Sequence, residues 1–168
     1  MTIYIRHEQP SDHSRIPGLV ERAFLHAPHA AHTEQFITGA LRKAGALTIS
    51  LVAFRNEEMV GHAAASPVLV NGREAGWYGI GPVAVLPACH NQGIGSAMMR
   101  RLLDGLRAMN ARGCVLVGDA AYYGRFGFHS TDKLAYPPVP REFFHILGFT
   151  PDIPEGEVSF HSGFEATE

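Results

Sequence analysis

A glycine-containing turn within residues 82–95 is the segment of this chain best suited to binding a charged ligand. A short apolar run ends at Pro87, a polar turn follows, and Gly93 and Gly95 then open an amphipathic stretch that continues to Asn110. Glycine lets a ligand approach the backbone closely, and the free N–H groups and dipole of a helix start favour negative charge. The segment therefore predicts a strand followed by a helix whose N-terminus binds a phosphate group.

Two common phosphate-binding loops do not fit this segment. A P-loop requires a lysine followed by serine or threonine, and no lysine lies within residues 82–95. A dinucleotide fingerprint requires a third glycine or alanine three residues after the second, where this chain has Met98. That fingerprint also usually opens a domain, whereas this turn lies in the middle of the chain. Both nucleotide interpretations are therefore weak.

The turn instead resembles a motif of one acetyltransferase family. Residues 90–95 read His-Asn-Gln-Gly-Ile-Gly, and residues 118–128 read Gly-Asp-Ala-Ala-Tyr-Tyr-Gly-Arg-Phe-Gly-Phe. The first block is similar to the Arg/Gln-x-x-Gly-x-Gly/Ala signature of the GCN5-related N-acetyltransferase (GNAT) family, and the second to its Tyr-x-x-x-Gly-Phe helix. With their spacing, these blocks cover residues 77–129 and resemble in particular the YhbS-like predicted N-acetyltransferases of that family. His90 stands where arginine or glutamine is usual, and because that position presents backbone N–H, we expect binding to survive.

The resemblance implies acetyl-CoA as co-substrate, no metal, and a set of site residues. The turn wraps the pyrophosphate in this family, which implies a binding role for His90, Asn91, Gln92, Gly93, Ile94, Gly95 and Ser96. Free backbone groups of the preceding strand bind the pantetheine arm and polarise the thioester carbonyl, which maps to Val83, Ala84 and Val85. The family's general acid is the tyrosine four residues before Gly-Phe, which is Tyr123 here, with Tyr122 as runner-up. The alternative function is a non-catalytic acyl-CoA-binding sensor, against which the intact Tyr123 counts.

Acetyl transfer to an amine requires a proton acceptor that the sequence does not identify. An amine with a pKa near 10.4 is neutral in only about one molecule in 2,500 at pH 7, a cost of roughly 4.6 kcal/mol. The transfer therefore needs a base or a proton-relay water, and a solvent relay is at least as acceptable as any one side chain. The candidate bases lie in elements expected to flank the acceptor cleft and are Glu21, Glu34, His62, Glu74 and Tyr78.

Histidine spacing and one cysteine suggest two further chemistries, both of which we disfavour. His26, His29 and His32 are spaced by three, but they lack a fourth ligand or a rigid helical frame, so an exposed loop is favoured over a metal site. Cys89 lies in the turn, but His90 is its only basic neighbour, so an acetyl-cysteine intermediate is disfavoured. Direct transfer in a ternary complex is the predicted mechanism.

Hydrophobic periodicity predicts alternating strands and helices. Strands are predicted over residues 2–6, 47–55, 59–70, 75–86, 114–117 and near 157–161. The turns Asn56-Glu57 and Asn71-Gly72 join hairpins, and the second is a strong signal for a type I′ turn. Ser11 or Asp12 is predicted to cap a first helix that runs to Leu25, and Thr33 a second that runs to Ala44.

The third helix, over residues 94–109, shows the clearest amphipathic pattern. Its predicted buried stripe consists of Ile94, Met98, Leu102, Leu103, Leu106 and Met109, and Gly113 is predicted to stop the helix. Arg100, Arg101 and Arg107 lie opposite this stripe. They are interpreted as a solvated face, with a contact from one of them to the 3′-phosphate of coenzyme A as the alternative.

These elements predict an α/β fold, or α+β sandwich. The resemblance specifies a GNAT-type central mixed, mostly antiparallel twisted sheet, flanked by helices, with strands that splay apart at the acyl-CoA site. We expect one N-acetyltransferase domain over residues 1–168. Five prolines after residue 136 predict that about residues 137–168 form a mostly extended C-terminal segment packed on that domain.

The composition excludes several classes of protein. The chain has 168 residues, of which 46% are hydrophobic and 18% are charged, values typical of a globular protein. This length is sufficient for one domain with a hydrophobic core and too short for two domains of ordinary size. A net charge of −2 gives no reason to expect nucleic-acid binding. Apolar runs fall far short of the roughly 18 residues of a membrane span, so a cytoplasmic location is expected. The expected partner is a small-molecule, peptide or protein amine, and a homodimer is left open.

Overall fold

The computed structural model describes residues 2–168, and in this range an eight-stranded sheet combines with four α-helices. The strands are β1 (Ile3–His7), β2 (Ile49–Arg55), β3 (Glu58–Val70), β4 (Arg73–Val85), β5 (Gly113–Val117), β6 (Leu134–Ala135), β7 (Phe144–Gly148) and β8 (Gly156–Ser159). The helices are α1 (Ile16–Phe24), α2 (Ile37–Lys43), α3 (Ile94–Ala108) and α4 (Ala120–Tyr123).

The main sheet has the strand order β1-β2-β3-β4-β5-β7. All neighbours along it are antiparallel except β4 and β5, which are parallel and are joined through α3. β8 pairs with the end of β3 at Leu69 and Val70, and β6 pairs with β8. The predicted mixed, mostly antiparallel sheet flanked by helices is confirmed.

Two tight turns fix the register of the long hairpins, as predicted. Asn56 and Glu57 join β2 to β3. Asn71 and Gly72 have φ values of 52° and 74°, the left-handed conformations that a type I′ turn requires at both central positions. The Asn71 side chain also bonds to the backbone of Glu155 and Glu157, so this hairpin holds the C-terminal segment against the sheet.

Alternation along the strands separates the two faces of the sheet. On one face, Gly61 lies under α3 so closely that a Cβ there would come 2.8 Å from the methyl carbon of Met98. On the other face, Ser50 bonds to Glu8, which bonds to Arg42 of α2. The sheet is thus covered by α3 on one side and by α1 and α2 on the other.

The third helix follows its sequence pattern over most of its length. Ile94, Met98, Leu102, Leu103 and Leu106 are buried, as predicted. Met109 is 43% exposed, so its place in the buried stripe was predicted wrongly. The helix ends there because Asn110 adopts φ 62°, a conformation that asparagine tolerates, and not because of Gly113. Gly113 lies in β5, where a Cβ would come 2.5 Å from the ring of Trp77.

The first two helices begin later than predicted. α1 starts at Ile16 because Pro17 fits the first turn of a helix, where its missing N–H costs nothing. Asp12 does not cap that helix; its carboxylate pairs with Arg6 at 2.6 Å, and its pKa is lowered mainly by this hydrogen bond. Thr33 makes no side-chain cap, and a short 3-10 turn over 34–36 precedes α2.

The C-terminal segment contains more regular structure than predicted. β8 lies where a late strand was expected, but β7 was missed and forms the edge of the main sheet beside β5. The run Phe144–Gly148 is only five residues long and follows a proline-rich stretch, so its own sequence carries little strand signal. Pairing with β5 supplies the structure that local propensity does not specify.

Candidate active site

The site forms where two parallel strands separate. β4 and β5 pair only at Trp77, Tyr78 and Gly79 of β4. β4 then continues beside β3 to Val85, while β5 continues beside β7, so a gap opens between their ends. Residues 80–83 of β4 contain one extra residue relative to β3, a bulge that re-aims the strand at this gap. The predicted splay of strands at the acyl-CoA site is therefore confirmed.

The N-terminus of α3 is open beside this gap. Gly93 is its N-cap with φ +80°, and nothing lies within 4 Å of the position a Cβ would take. The first bond into the helix runs from the Ala97 N–H to the Gly93 carbonyl. The amides of Ile94, Gly95 and Ser96 precede that bond, so they and the helix dipole can receive a phosphate.

His90 ties the turn to the end of β4. Its Nε2 lies 2.8 Å from the Val85 carbonyl oxygen, and because a carbonyl can only accept, this nitrogen carries the proton. Asn91 follows with φ 61°, and the Gln92 side chain donates to the Ala88 carbonyl at 3.4 Å. The ring of His90 therefore acts within the turn, a role that was not predicted.

Arg125 reaches the same helix start and was missed by sequence reasoning. Its Nη2 donates to the Ser96 hydroxyl at 3.1 Å, and its guanidinium lies 4.4 Å from the centre of the Tyr122 ring. Arg125 lies within residues 118–128, but the sequence does not show that its charge is close to the turn. That closeness arises because α4 folds against the start of α3.

The three arginines predicted on the outer face of α3 are exposed, as expected of a solvated face, and each also contacts another part of the fold. Arg101 donates to the Ile5 carbonyl, and Arg107 lies 4.6 Å from the centre of the Phe149 ring. Arg100 lies 5.4 Å from the centre of the Phe126 ring.

The two adjacent tyrosines point to different parts of the site. Asp119 caps α4 by accepting a bond from the Tyr122 N–H, and the two rings lie nearly perpendicular, with centroids 4.9 Å apart. The Tyr122 hydroxyl lies against α3, where a Cβ on Gly95 would come 2.8 Å from it. Tyr123 instead lines the gap between the strands. Burial, with smaller contributions from Tyr122 and Asp119, raises the pKa of Tyr123 to about 12.

A cleft of about 320 Å³ occupies the gap and the space beneath α1 and α2. It contains one of the five candidate bases, Glu34, as well as Tyr123. The other residues that line the cleft are mostly apolar or aromatic and come from several elements of the fold: Phe24, Ile37, Ile80, Gly81, Pro82, Val83, Val117, Tyr136, Phe160 and Phe164. Of the three predicted pantetheine-binding residues, Val83 reaches this cleft, Ala84 is buried opposite His62, and Val85 is held by His90.

The other candidate bases are not among the residues that line the cleft. Glu21 and Glu74 are exposed, on α1 and at the start of β4. Tyr78 pairs with Cys114 and packs against the main core. His62 is fully buried and bonds to Ser50, with its Nδ1 unpartnered, and burial lowers the pKa of its ring to about 4.

Two findings concern metals and membranes. His26, His29 and His32 are exposed, and residues 2–168 contain no group of three or more His, Cys, Asp or Glu side chains arranged to hold a metal. Within the same range, every helix is too short or too polar to cross a membrane.

Comparison with known proteins defines the class to which this fold and site belong. The family model of the acetyltransferase (GNAT) domain matches residues 4–131. The chain therefore belongs to the GNAT family of N-acetyltransferases, and it is an acyltransferase. The resemblance stated from the two sequence blocks is confirmed.

Individual relatives agree with this assignment. The uncharacterized N-acetyltransferase YhbS of Escherichia coli K12 is 36% identical over 125 residues, which are 74% of this chain and 72% of that protein. A GNAT family acetyltransferase from Brucella melitensis, solved with acetyl-CoA, is 45% identical with a TM-score of 0.87. The match covers 97% of this chain and 98% of the Brucella chain. The structure of YhbS from Escherichia coli, solved with CoA, is 29% identical with a TM-score of 0.88. The match covers 99% of this chain and 93% of the YhbS chain.

Proposed function

We propose that this protein transfers the acetyl group of acetyl-CoA to a primary amine by direct attack in a ternary complex. The observation that carries the proposal is the position of Tyr123, which lines the gap between β4 and β5 together with Val83 and Val117. An acetyl-CoA molecule whose pyrophosphate binds at Gly93 extends its pantetheine arm along this gap toward Tyr123. The crystal structure of the Brucella melitensis relative with acetyl-CoA supports the choice of co-substrate.

The amides at the start of α3 are proposed to bind the pyrophosphate. The backbone of Ile94, Gly95 and Ser96 supplies N–H donors without charge, and Arg125 adds a positive charge beside Ser96. His90 contributes by holding the strand end and the turn together through the Val85 carbonyl. An N–H of residues 83–85 that faces the gap polarises the thioester carbonyl and stabilises the oxyanion that forms on it.

The transfer conserves atoms and protons as follows. The amine first loses its extra proton to a base or a water relay, and its lone pair then forms a C–N bond with the acetyl carbon. As the C–S bond breaks, the Tyr123 hydroxyl gives its proton to the sulfur of coenzyme A. The proton lost from the amine nitrogen during amide formation restores the phenol through water. The products are an N-acetylated amine and the free thiol of coenzyme A.

The raised pKa of Tyr123 limits how it helps the leaving group. With this pKa near 12 and that of a thiol near 8.5, complete proton transfer to the thiolate is uphill by roughly 5 kcal/mol. A hydrogen bond to the developing thiolate avoids this cost and still stabilises the transition state. Tyr123 is therefore proposed to donate a strong hydrogen bond as the C–S bond breaks, and to pass its proton fully to the sulfur only as the proton released by the amine nitrogen returns to the phenol.

The proposal is tested by product analysis. The full chain is incubated with acetyl-CoA and a mixed set of primary amines and a peptide with a free N-terminus, and products are identified by mass spectrometry. Tertiary amines of the same skeletons serve as controls, because they cannot form a stable amide. Enzyme-dependent mono-acetylation of a primary amine is expected, with equimolar release of thiol. Binding of acetyl-CoA without transfer to any amine would contradict the proposal.

A further inference from the structure

The acceptor cleft contains a single carboxylate surrounded by apolar and aromatic groups. We infer that the acceptor is a small primary monoamine with an uncharged apolar body, whose ammonium group binds to Glu34. The inference rests on the proposed amine acetylation and adds the substrate class to it. Three features carry it: the geometry of Glu34, the rings beside it, and the charges that line the cleft.

One oxygen of the Glu34 carboxylate is held by a backbone amide, and the other has no hydrogen-bond partner in the part of the chain that the structure describes. Its Oε2 accepts a hydrogen bond of 2.7 Å from the Ala31 N–H, which fixes the carboxylate. Its Oε1 is the other oxygen, and it is buried. A buried oxygen of this kind is costly to leave without a donor, and carboxylate oxygens accept strongly from charged donors. Because Glu34 lines the cleft, a rotation of its carboxylate toward the cleft would let a bound ammonium group supply that donor.

Aromatic rings line much of the rest of the cleft. Tyr136 and Phe160 lie with ring centres 5.0 Å apart, and Phe160 and Phe164 with centres 5.1 Å apart. Phe24 and Tyr123 complete the aromatic part of the lining. Ring faces attract a cation, and the same rings give a dry contact surface to an alkyl or aryl body. The cleft therefore matches a molecule with one charged end and an apolar remainder.

The lining excludes acceptors with further charges. Among the residues that line the cleft, all within the described range, Glu34 is the only aspartate, glutamate, lysine, arginine or histidine, and Glu165, whose charge helps raise the pKa of Tyr136, lies outside this lining. A polyamine or an aminoglycoside would bring additional ammonium groups into an apolar cleft without partners. An amino acid would bring a carboxylate close to Glu34 with no cation to balance it. Charge thus selects against these three classes of amine.

The C-terminal segment contributes to this selection by closing the cleft. Gly163 packs against Leu41 of α2, where a Cβ would come 2.9 Å from its side chain, and Phe164 lies over Gly81 at the bulge of β4. The His161 ring accepts a bond of 2.9 Å from the Gly163 N–H and fixes the turn between Phe160 and Phe164. These contacts position two of the aromatic rings beside the site of attack.

The inference is tested with 2-phenylethylamine, phenylalaninol, phenylalanine, spermidine and kanamycin as acceptors. These probes share an amine but differ in the charge that accompanies it, and phenylalaninol replaces the carboxylate of phenylalanine by a neutral group. Initial rates of thiol release from acetyl-CoA give kcat and KM for each. We expect kcat/KM for 2-phenylethylamine and phenylalaninol to exceed that for the other three by about 100-fold or more.

The role of Glu34 is tested with Glu34→Gln. Glutamine keeps an oxygen for the Ala31 N–H but removes the charge, so the loop is retained. KM for 2-phenylethylamine is expected to rise by about 10- to 100-fold, whereas the Kd for acetyl-CoA stays unchanged. Glu142→Gln is the matched control, because Glu142 is exposed and is not among the residues that line the cleft, and it should behave as the wild type. Thermal melting and titration of the CoA-saturated variants with 2-phenylethylamine separate misfolding from lost binding.

The outcomes distinguish this inference from the proposed function. Preferred acetylation of spermidine, kanamycin, phenylalanine or a peptide N-terminus would leave amine acetylation intact and overturn the monoamine inference. An unchanged KM in folded Glu34→Gln would also overturn it. Absence of transfer to every amine, with acetyl-CoA bound, would overturn both.

Discussion

The ring of Tyr123 lies directly over Gly118, at the point where β5 has ended and α4 is about to begin. A Cβ on Gly118 would overlap that ring, so only glycine allows the tyrosine to turn into the gap between β4 and β5. The neighbouring Tyr122 takes the other direction and contacts Gly95 of α3. The two adjacent tyrosines therefore face different parts of the site, and only Tyr123 faces the gap.

Tyr123→Phe should lower kcat by about 10- to 100-fold and leave the Kd for acetyl-CoA unchanged, because the lost hydroxyl acts only on the leaving thiolate. Tyr122→Phe is the matched control and should retain most of its kcat. Steady-state kinetics with a saturating amine and calorimetry with acetyl-CoA measure the two quantities. If Tyr122→Phe loses kcat and Tyr123→Phe does not, the general acid has been assigned to the wrong ring.

Gly93→Asp should abolish measurable binding of acetyl-CoA. The position is open in the protein alone, so an added side chain meets the bound pyrophosphate, and its negative charge repels that group. Gly45→Asp is the control, because Gly45 has φ +71°, equally open surroundings, and lies after the end of α2. Both variants carry similar backbone strain, so a loss of affinity common to both would point to strain and away from a pyrophosphate site.

His90→Ala should weaken acetyl-CoA binding about fivefold, the effect of losing one hydrogen bond of about 1 kcal/mol. The reason is that the Val85 carbonyl loses its donor and the turn is less well held to β4. His90→Arg should keep wild-type affinity, because arginine can also donate to that carbonyl. Calorimetric Kd values decide the matter, and a large loss in His90→Arg would show that the imidazole has a role other than this hydrogen bond.

The stability of the folded chain should fall as the pH is lowered from 6.5 to 4, in part because of His62. Burial lowers the pKa of its ring to about 4, against 6.5 for an unburied histidine. Between these two values the unfolded chain binds a proton that the folded chain does not, so acid favours unfolding by up to roughly 3 kcal/mol from this residue.

His62→Gln isolates that contribution. Glutamine can still donate to Ser50 but does not titrate, so the variant should lose less stability than the wild type between pH 6.5 and pH 4. Urea unfolding at several pH values measures the difference, with His129→Gln as the control because His129 is exposed. Parallel pH profiles for wild type and His62→Gln would contradict the burial of a neutral imidazole.

Local patterns were sufficient to predict the parts of the fold that depend on near neighbours. The stripe Ile94 to Leu106 has helical periodicity, and Asn71-Gly72 can adopt the two left-handed conformations of its turn, so α3 and the β3–β4 hairpin were both predictable. β7 was not, because five residues acquire their structure by pairing with β5, about thirty residues earlier in the chain.

The candidate site likewise has one part that the local sequence could predict and one part that it could not. The open helix start at Gly93, proposed to bind the pyrophosphate, is a contiguous turn and could be predicted from its residues. The cleft proposed to bind the acceptor brings together Glu34, Pro82, Tyr123 and Phe164, which are far apart in the chain. Sequence reasoning could name Glu34 only as one of five bases, because its free Oε1 and aromatic neighbours exist only after these segments meet.

The most direct test of the central claim is calorimetric titration of the full chain with acetyl-CoA, with ATP and NAD as controls. Saturable binding with a Kd of about micromolar order, and no heat from either control, is predicted for a turn at Gly93 that recognises coenzyme A through its pyrophosphate and pantetheine arm. The absence of acetyl-CoA binding, or binding of ATP or NAD with equal affinity, would contradict the assignment of this turn and of the transfer chemistry built on it.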